Sequence, residues 1–169
     1  MSRYFSSNHI QVLNEAVAIS EEVTNDFFPL TRRDWIENPY EVCTLNNIER
    51  HEHPGDSFAH LVRYSCDPTR KLRGRDAGRF YRICLNDPRF LEEIGSMGQR
   101  ALGALMVYVI THELVHIVRF GRYLCLPSLE DRRREEERVH GLTQEILAPI
   151  RLEGMSQVLN RFDRLFKEI

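Results

Sequence analysis

Two histidines four residues apart, His112 and His116, stand in the segment THELVHIVRF, and a glutamate, Glu113, follows the first of them. On an α-helix, residues i and i+4 lie on one face, so both imidazoles can reach a single ion. Zinc lowers the pKa of a bound water towards neutrality, and Glu113 is placed to accept the proton that this water releases. The spacing therefore predicts a zinc site with its own general base.

The residues around this motif strengthen the prediction because they are apolar. They are Val109, Ile110, Leu114, Val115, Ile117 and Val118. Such a helix is buried, and buried polar side chains need partners. The alternative is that His112 and His116 are core histidines satisfied by other protein groups, but a metal ion is the simpler partner for both. Tyr108, one turn before His112, is a candidate for the wall of the site or, alternatively, a core tyrosine.

In these residues the chain resembles the zincin metallopeptidases, in which uncharged residues surround H-E-x-x-H. The resemblance implies hydrolysis of peptide bonds, Zn²⁺ as the cofactor and a peptide or protein as the substrate. It also implies that His112 and His116 bind the metal and that Glu113 is the catalytic base. Arg119 and Arg122 occupy the Gly and third His positions of the metzincin subtype, which is thereby excluded.

The gluzincin subtype takes its third metal ligand, a glutamate, from a later helix. Glu136 lies 20 residues after His116, a spacing similar to that subtype. Many gluzincins have an Asp four residues further on, where this chain has His140. At 1.5 Å per residue, Glu136 lies about 12 Å and His140 about 18 Å into the next helix, while His116 is roughly 6 Å from its own helix end. Glu136 is therefore the preferred third ligand and His140 the alternative, as a ligand, a supporting residue or an oxyanion stabiliser; Glu135 also stays open.

The elements that must position these residues follow from the hydrophobic pattern. Apolar residues recur at helical spacing and predict helices over 7–28, 90–94, 97–120, 128–149 and 152–166. Gly121 is expected to cap the motif helix and Ser128 to begin the next one. Segments rich in aromatic and β-branched residues predict three strands, taken as antiparallel, over 40–45, 58–66 and 79–85. The order predicts a single α+β domain over residues 1–169, with an N-terminal helix, a small sheet, the motif helix, a ligand-bearing helix and an amphipathic C-terminal helix.

This order of elements also resembles a minimal zincin over residues 40–148. In that family the edge strand before the active-site helix pairs with an extended substrate. The resemblance assigns this role to residues 79–85. The first and last helices lie outside the resemblance. If they leave the cleft open the site is active, and if they cover it the site is latent.

A rival interpretation uses two E-x-x-H pairs, Glu113 with His116 and Glu137 with His140, as ligands of a ferritin-like di-iron bundle. Such a site needs two further glutamates, which the chain offers as Glu15, Glu21, Glu22, Glu92 and Glu93. Only 24 residues separate the two pairs, which leaves no room for an intervening helix, and His112 would have no role. The zinc interpretation is therefore preferred.

A third class is a non-catalytic module that binds a metal, an acidic partner or nucleic acid. Basic residues gather along the second and third predicted strands and their connection: Arg63, Arg70, Lys71, Arg73, Arg75, Arg79 and Arg82. Few aromatic residues alternate with them and no nucleic-acid motif accompanies them, so a solvated basic loop is preferred. His51 and His53 form a weak H-x-H metal pair in a predicted turn.

Bulk properties set the remaining expectations. The net charge of −2 over 169 residues gives no general attraction to nucleic acid or to a membrane. The longest apolar run, 101–110, is interrupted by Gly103 and short for a bilayer. The first residues lack the apolar stretch of a signal peptide, and the four cysteines contain no C-x-x-C pair. We therefore expect a cytoplasmic protein with reduced thiols and no membrane partner.

Overall fold

The computed structural model describes residues 3–65, 79–122 and 129–167, and over these ranges it confirms the α+β class. The helices are α1 (Ser7–Phe27), α2 (Arg32–Glu37), α3 (Asp87–Met97), α4 (Leu102–Arg122), α5 (Leu129–Leu147) and α6 (Met155–Lys167). The strands are β1 (Tyr40–Cys43), β2 (Ala59–Ser65) and β3 (Arg79–Leu85). Short 3₁₀ turns lie at Leu45–Asn47, Arg50–Glu52 and Gln99–Ala101.

The predicted boundaries hold for most elements and fail at identifiable places. Helix α2 was not predicted, because its six residues are too few for hydrophobic periodicity to show. The motif helix begins at Leu102 and not at 97, since Gly98 adopts a φ of 98° and separates α3 from the next turn. Gly121 does not end α4, which continues to Arg122. The predicted cap at Ser128 lies outside the described residues.

The sheet is mixed, with strand order β1-β3-β2. Strands β2 and β3 are antiparallel, as predicted, with Leu61 opposite Ile83. The antiparallel prediction is wrong for β1, which runs parallel to β3 with Val42 opposite Ile83. No hairpin joins these two strands, because the segment 44–58 carries the chain away to β2 before β3 forms, so hairpin geometry does not fix the direction of β1.

This strand order corrects the expectation that residues 79–85 form the edge of the sheet. Strand β3 is bonded on both sides, by β1 and by β2, so neither of its edges can pair with a substrate. Among the strands that the structure describes, β1 and β2 lie at the edges of the sheet.

Helix α4 forms the centre of the core. Large side chains along it are fully buried: Leu105, Met106, Ile110, Leu114 and Ile117. Helix α1 packs against α4, where Ser20 donates a buried hydrogen bond of 3.2 Å to the carbonyl of Val107. Helices α5 and α6 also pack on α4. The motif therefore lies on a helix that packs against α1, α5 and α6.

The apolar stretch that includes α4 is longer than the run 101–110 found in the sequence. The helical stretch Gln99–Gly121 is long and apolar enough to cross a membrane by length and composition. However, 83% of its most apolar window is buried inside the protein. A helix packed in a protein core meets the same test, so the composition of α4 follows from its central position.

Candidate metal centre

Three side chains from two neighbouring helices converge on one point. His112 and His116 project from the same face of α4, and Glu136 projects towards them from α5. The Nε2 atom of His112 lies 3.4 Å from one carboxylate oxygen of Glu136, and the Nε2 atom of His116 lies 3.1 Å from the other. Of the two leading candidates for a third ligand, Glu136 is therefore the one that joins the histidine pair.

The three side chains lie close enough together to share one zinc ion. Ligand atoms at about 2.0–2.2 Å from zinc are separated from one another by roughly 3.3–3.6 Å in a tetrahedron. The two distances to Glu136 are near this range but involve different carboxylate oxygens, and one donor atom from each residue can be chosen so that all three lie within 4.8 Å of one another. Two imidazoles and one carboxylate are also a donor set that catalytic zinc sites use, with the fourth position open. The residues present thus fit the ion that the motif implies.

Ring packing orients the two histidines. The ring of His116 stacks on Phe120 with centroids 5.7 Å apart, and the ring of His112 lies 6.4 Å from Tyr108 in a nearly parallel orientation. Neither Nδ1 atom has a hydrogen-bond partner among the residues that the structure describes. Ligand histidines usually donate Nδ1–H to an oxygen acceptor. Here the rings of Tyr108 and Phe120 lie next to the two imidazoles instead.

Glu113 lies in the same cavity as the three converging side chains. Burial raises the pKa of Glu113, the charge of His112 opposes this shift and the charge of Glu136 adds to it, which together give a pKa of about 7. A carboxylate with a pKa near 7 is suited to accept and return a proton at neutral pH. A divalent ion at His112, His116 and Glu136 would lower this pKa and favour the ionised base.

Glu135 and Glu136 are adjacent in the chain but have different partners. Glu135 is buried and makes a bidentate ion pair with Arg119 of α4, with one of its two contacts at 3.0 Å. This pair excludes Glu135 from the centre. Burial alone would raise the pKa of Glu136, but hydrogen bonds from His112 and His116 outweigh it and lower that pKa well below its usual range. Glu136 is therefore an ionised carboxylate at neutral pH.

His140 lies outside the group that can hold a metal ion. Its Nε2 atom is 3.5 Å from Asp163 of α6, and its Nδ1 atom is 3.1 Å from the hydroxyl of Tyr108. A hydrogen bond from Lys167 and a second from His140 lower the pKa of Asp163, so its carboxylate is an acceptor. Nε2 of His140 then carries the proton, and Nδ1 accepts from Tyr108. Both ring nitrogens are engaged, which argues against His140 as third ligand or oxyanion donor in this arrangement.

A cavity of about 740 Å³ opens onto the centre. Its apolar lining comes from β2 and the residue before it, from α4 and from α6: Phe58, Leu61, Tyr108, Phe162, Leu165 and Phe166. Tyr108 lines the cavity and, with an exposed fraction of 2%, is also a core residue, so both interpretations of this tyrosine are confirmed. The α6 residues were not predicted, because an amphipathic helix at the end of a chain first indicates core packing.

The residues of the rival interpretations do not assemble into a second centre within the described ranges. Glu137 is half-exposed and pairs with Arg133, and no di-iron group forms from the two E-x-x-H pairs. His51 contacts Tyr64, and His53 accepts a hydrogen bond from Gly55.

The structure describes only some of the residues of the predicted basic segment. Arg82 is drawn into ion pairs with Glu41 and Glu52, at 3.0 and 3.4 Å. It is therefore neutralised and not available as part of a free basic surface. The basic residues at 70, 71, 73 and 75 lie outside the described residues.

Comparisons with protein families, curated proteins and solved structures found no match to this chain.

Proposed function

We propose that the protein is a zinc-dependent metallopeptidase. The observation that carries this proposal is the convergence of His112, His116 and Glu136 from two helices, with Glu113 beside them in one cavity. The i, i+4 pair alone could arise by chance. A third donor at 3.1–3.4 Å, supplied by a different helix, is an independent requirement that the fold also meets.

Each residue then has a defined role. His112, His116 and Glu136 would hold the ion, which would supply an activated water and polarise the substrate carbonyl. Glu113 would accept a proton from the water that adds to the carbonyl carbon and would deliver it to the leaving nitrogen. The peptide C–N bond breaks, and the products are a carboxylate and an amine.

The position of strand β2 beside the cavity supports the proposal, because an extended substrate could pair with it. The cavity is lined by residues 56–61, the start of this edge strand and the turn before it. An edge strand presents unpaired backbone groups with which an extended peptide can form hydrogen bonds. The resemblance to zincins implies such pairing, and in this fold β2 is the edge strand that adjoins the cavity.

A non-catalytic metal-binding domain would use the same ligands, so hydrolysis must be tested separately from metal binding. Glu113→Gln removes the base and leaves all three metal ligands in place. Protein loaded with one zinc per chain should hydrolyse members of a mixed peptide library, and Glu113→Gln should lose at least about 100-fold in rate. Metal content of both forms, measured in parallel, should be equal.

Two results would contradict this account. Equal hydrolysis by Glu113→Gln would show that Glu113 is not the base. Absence of cleavage throughout the library by fully zinc-loaded wild-type protein would favour the regulatory metal-binding role.

A further inference from the structure

The apolar stripe of α6 continues beyond the core. Met155 and Val158, in the first turn, are buried among core residues. Phe162, Leu165 and Phe166, one to two turns later, line the cavity and are only partly buried. Large apolar side chains that are partly exposed on a cavity wall provide a surface that a ligand can cover.

Contacts with residues beside the candidate centre hold this wall in place. The ring of Phe162 stacks on Tyr108 with centroids 4.0 Å apart. The ring of Phe166 stacks on His140 at 4.3 Å with an interplanar angle of 4°. Tyr108 in turn neighbours the ring of His112. The apolar wall therefore begins directly beside the metal ligands.

A second apolar surface comes from Phe58 and Leu61. The ring of Phe58 is 5.3 Å from that of Phe162, so the two surfaces meet within the cavity. Arg89 also lines this cavity, but it lies over the ring of Phe58 at 4.2 Å and is paired with Glu93 at 2.8 Å. The guanidinium group is thus engaged with the ring of Phe58 and the carboxylate of Glu93.

We propose that the wall formed by Phe162, Leu165 and Phe166 is the specificity surface of the site. This inference rests on the proposed peptidase function. The wall binds a large apolar or aromatic side chain of the substrate next to the bond that is cleaved. The recognition is non-directional burial, so it favours bulky apolar side chains as a class and selects against small and charged ones.

Binding of zinc-directed hydroxamates tests the inference without requiring turnover. Two hydroxamates that differ only in a benzyl or a methyl group should bind zinc-loaded wild-type protein with affinities that differ by about tenfold or more. Leu165→Ala and Phe166→Ala should each reduce this ratio several-fold. The matched control is Leu159→Ala, which shortens an apolar side chain of the same helix that packs on the core and does not line the cavity.

Metal content and thermal unfolding of each variant show whether the site and fold are retained. Equal affinity of the two hydroxamates for wild-type protein, or a ratio that Leu165→Ala and Phe166→Ala leave unchanged, would overturn the specificity surface and leave the metallopeptidase proposal standing. Failure of the wild-type protein to retain zinc would overturn both. A loss of selectivity in Leu159→Ala equal to that in the two wall variants would also contradict the inference, since the effect would then be general to α6.

Discussion

Glu136 of α5 places one carboxylate oxygen 3.1 Å from Nε2 of His116 of α4 and the other 3.4 Å from Nε2 of His112. In the absence of an ion, this carboxylate accepts a hydrogen bond from Nε2–H of each imidazole. With zinc, the same three groups would be its ligands, and both Nε2 atoms would have to give up that proton. The two states therefore differ in where these protons lie and in response to added metal, which makes them experimentally separable.

Zinc is expected to stabilise the folded protein. An ion that binds only the folded chain, at 100 times its dissociation constant, adds about 2.7 kcal/mol to the free energy of unfolding. For a chain of this length, that corresponds to a rise of roughly 5–10 °C in Tm. His116→Ala should abolish the rise measured by calorimetry, whereas His53→Ala should keep it. A zinc-dependent rise that disappears in His53→Ala but survives in His116→Ala would place the metal elsewhere.

The buried ion pair between Arg119 and Glu135 is expected to hold α5 in the rotation that presents Glu136. Both side chains are largely buried, with exposed fractions of 13% and 10%. Removing one partner of such a pair costs about 3–5 kcal/mol, because the remaining buried charge loses the bidentate contact that offsets its desolvation. Glu135→Gln should therefore lower the free energy of urea unfolding by that amount, while Glu137→Gln on the exposed face should change it by less than about 0.5 kcal/mol.

The double variant Arg119→Met with Glu135→Leu checks the cause of this loss. Because it removes both charges and keeps apolar volume, it should recover most of the stability. If the double variant is as unstable as Glu135→Gln, the loss comes from packing and not from breaking the ion pair.

How much of the centre the sequence predicts depends on the kind of geometry involved. The pairing of His112 with His116 follows from helical spacing within one element, and the rise per residue correctly placed Glu136 nearer to them than His140. The choice between Glu135 and Glu136 depends on the rotation of α5 about its own axis. That rotation is set by contacts with α4, including Arg119, and no pattern within α5 specifies it.

In the sheet, too, local features are predicted from the sequence and non-local ones are not. The three strands lie within two residues of their predicted bounds because composition and alternation are local properties. The position of β3 in the centre depends on where the chain crosses between β1 and β2, which is a non-local feature. The same reason explains why the sequence does not predict the wall of α6: its three cavity residues have the spacing of core residues, and only the tertiary arrangement places them along the cavity.

Acid is expected to weaken the anchor of α6 at Glu93. Burial alone would raise the pKa of Glu93, but hydrogen bonds from Arg161 and Arg89, at 2.7 and 2.8 Å, outweigh it and lower the pKa below 4.5. A carboxyl group with a lowered folded-state pKa contributes stability above its unfolded pKa and loses it as the pH falls through the folded value. The stability difference between wild type and Glu93→Gln, from urea unfolding, should therefore be largest near pH 6 and shrink below pH 4.5. A difference that is constant from pH 6 to pH 3 would contradict the assignment.

The most direct test of the central claim is the zinc content of the purified protein after dialysis, compared among wild type, Glu136→Gln and Glu137→Gln. The two substitutions remove neighbouring carboxylates of equal side-chain exposure, 53% each, but only Glu136 adjoins the histidines. We predict one zinc per chain in wild type and in Glu137→Gln, and substantial loss of zinc in Glu136→Gln. A wild-type protein that binds no zinc, or that holds two irons per site, would contradict the account.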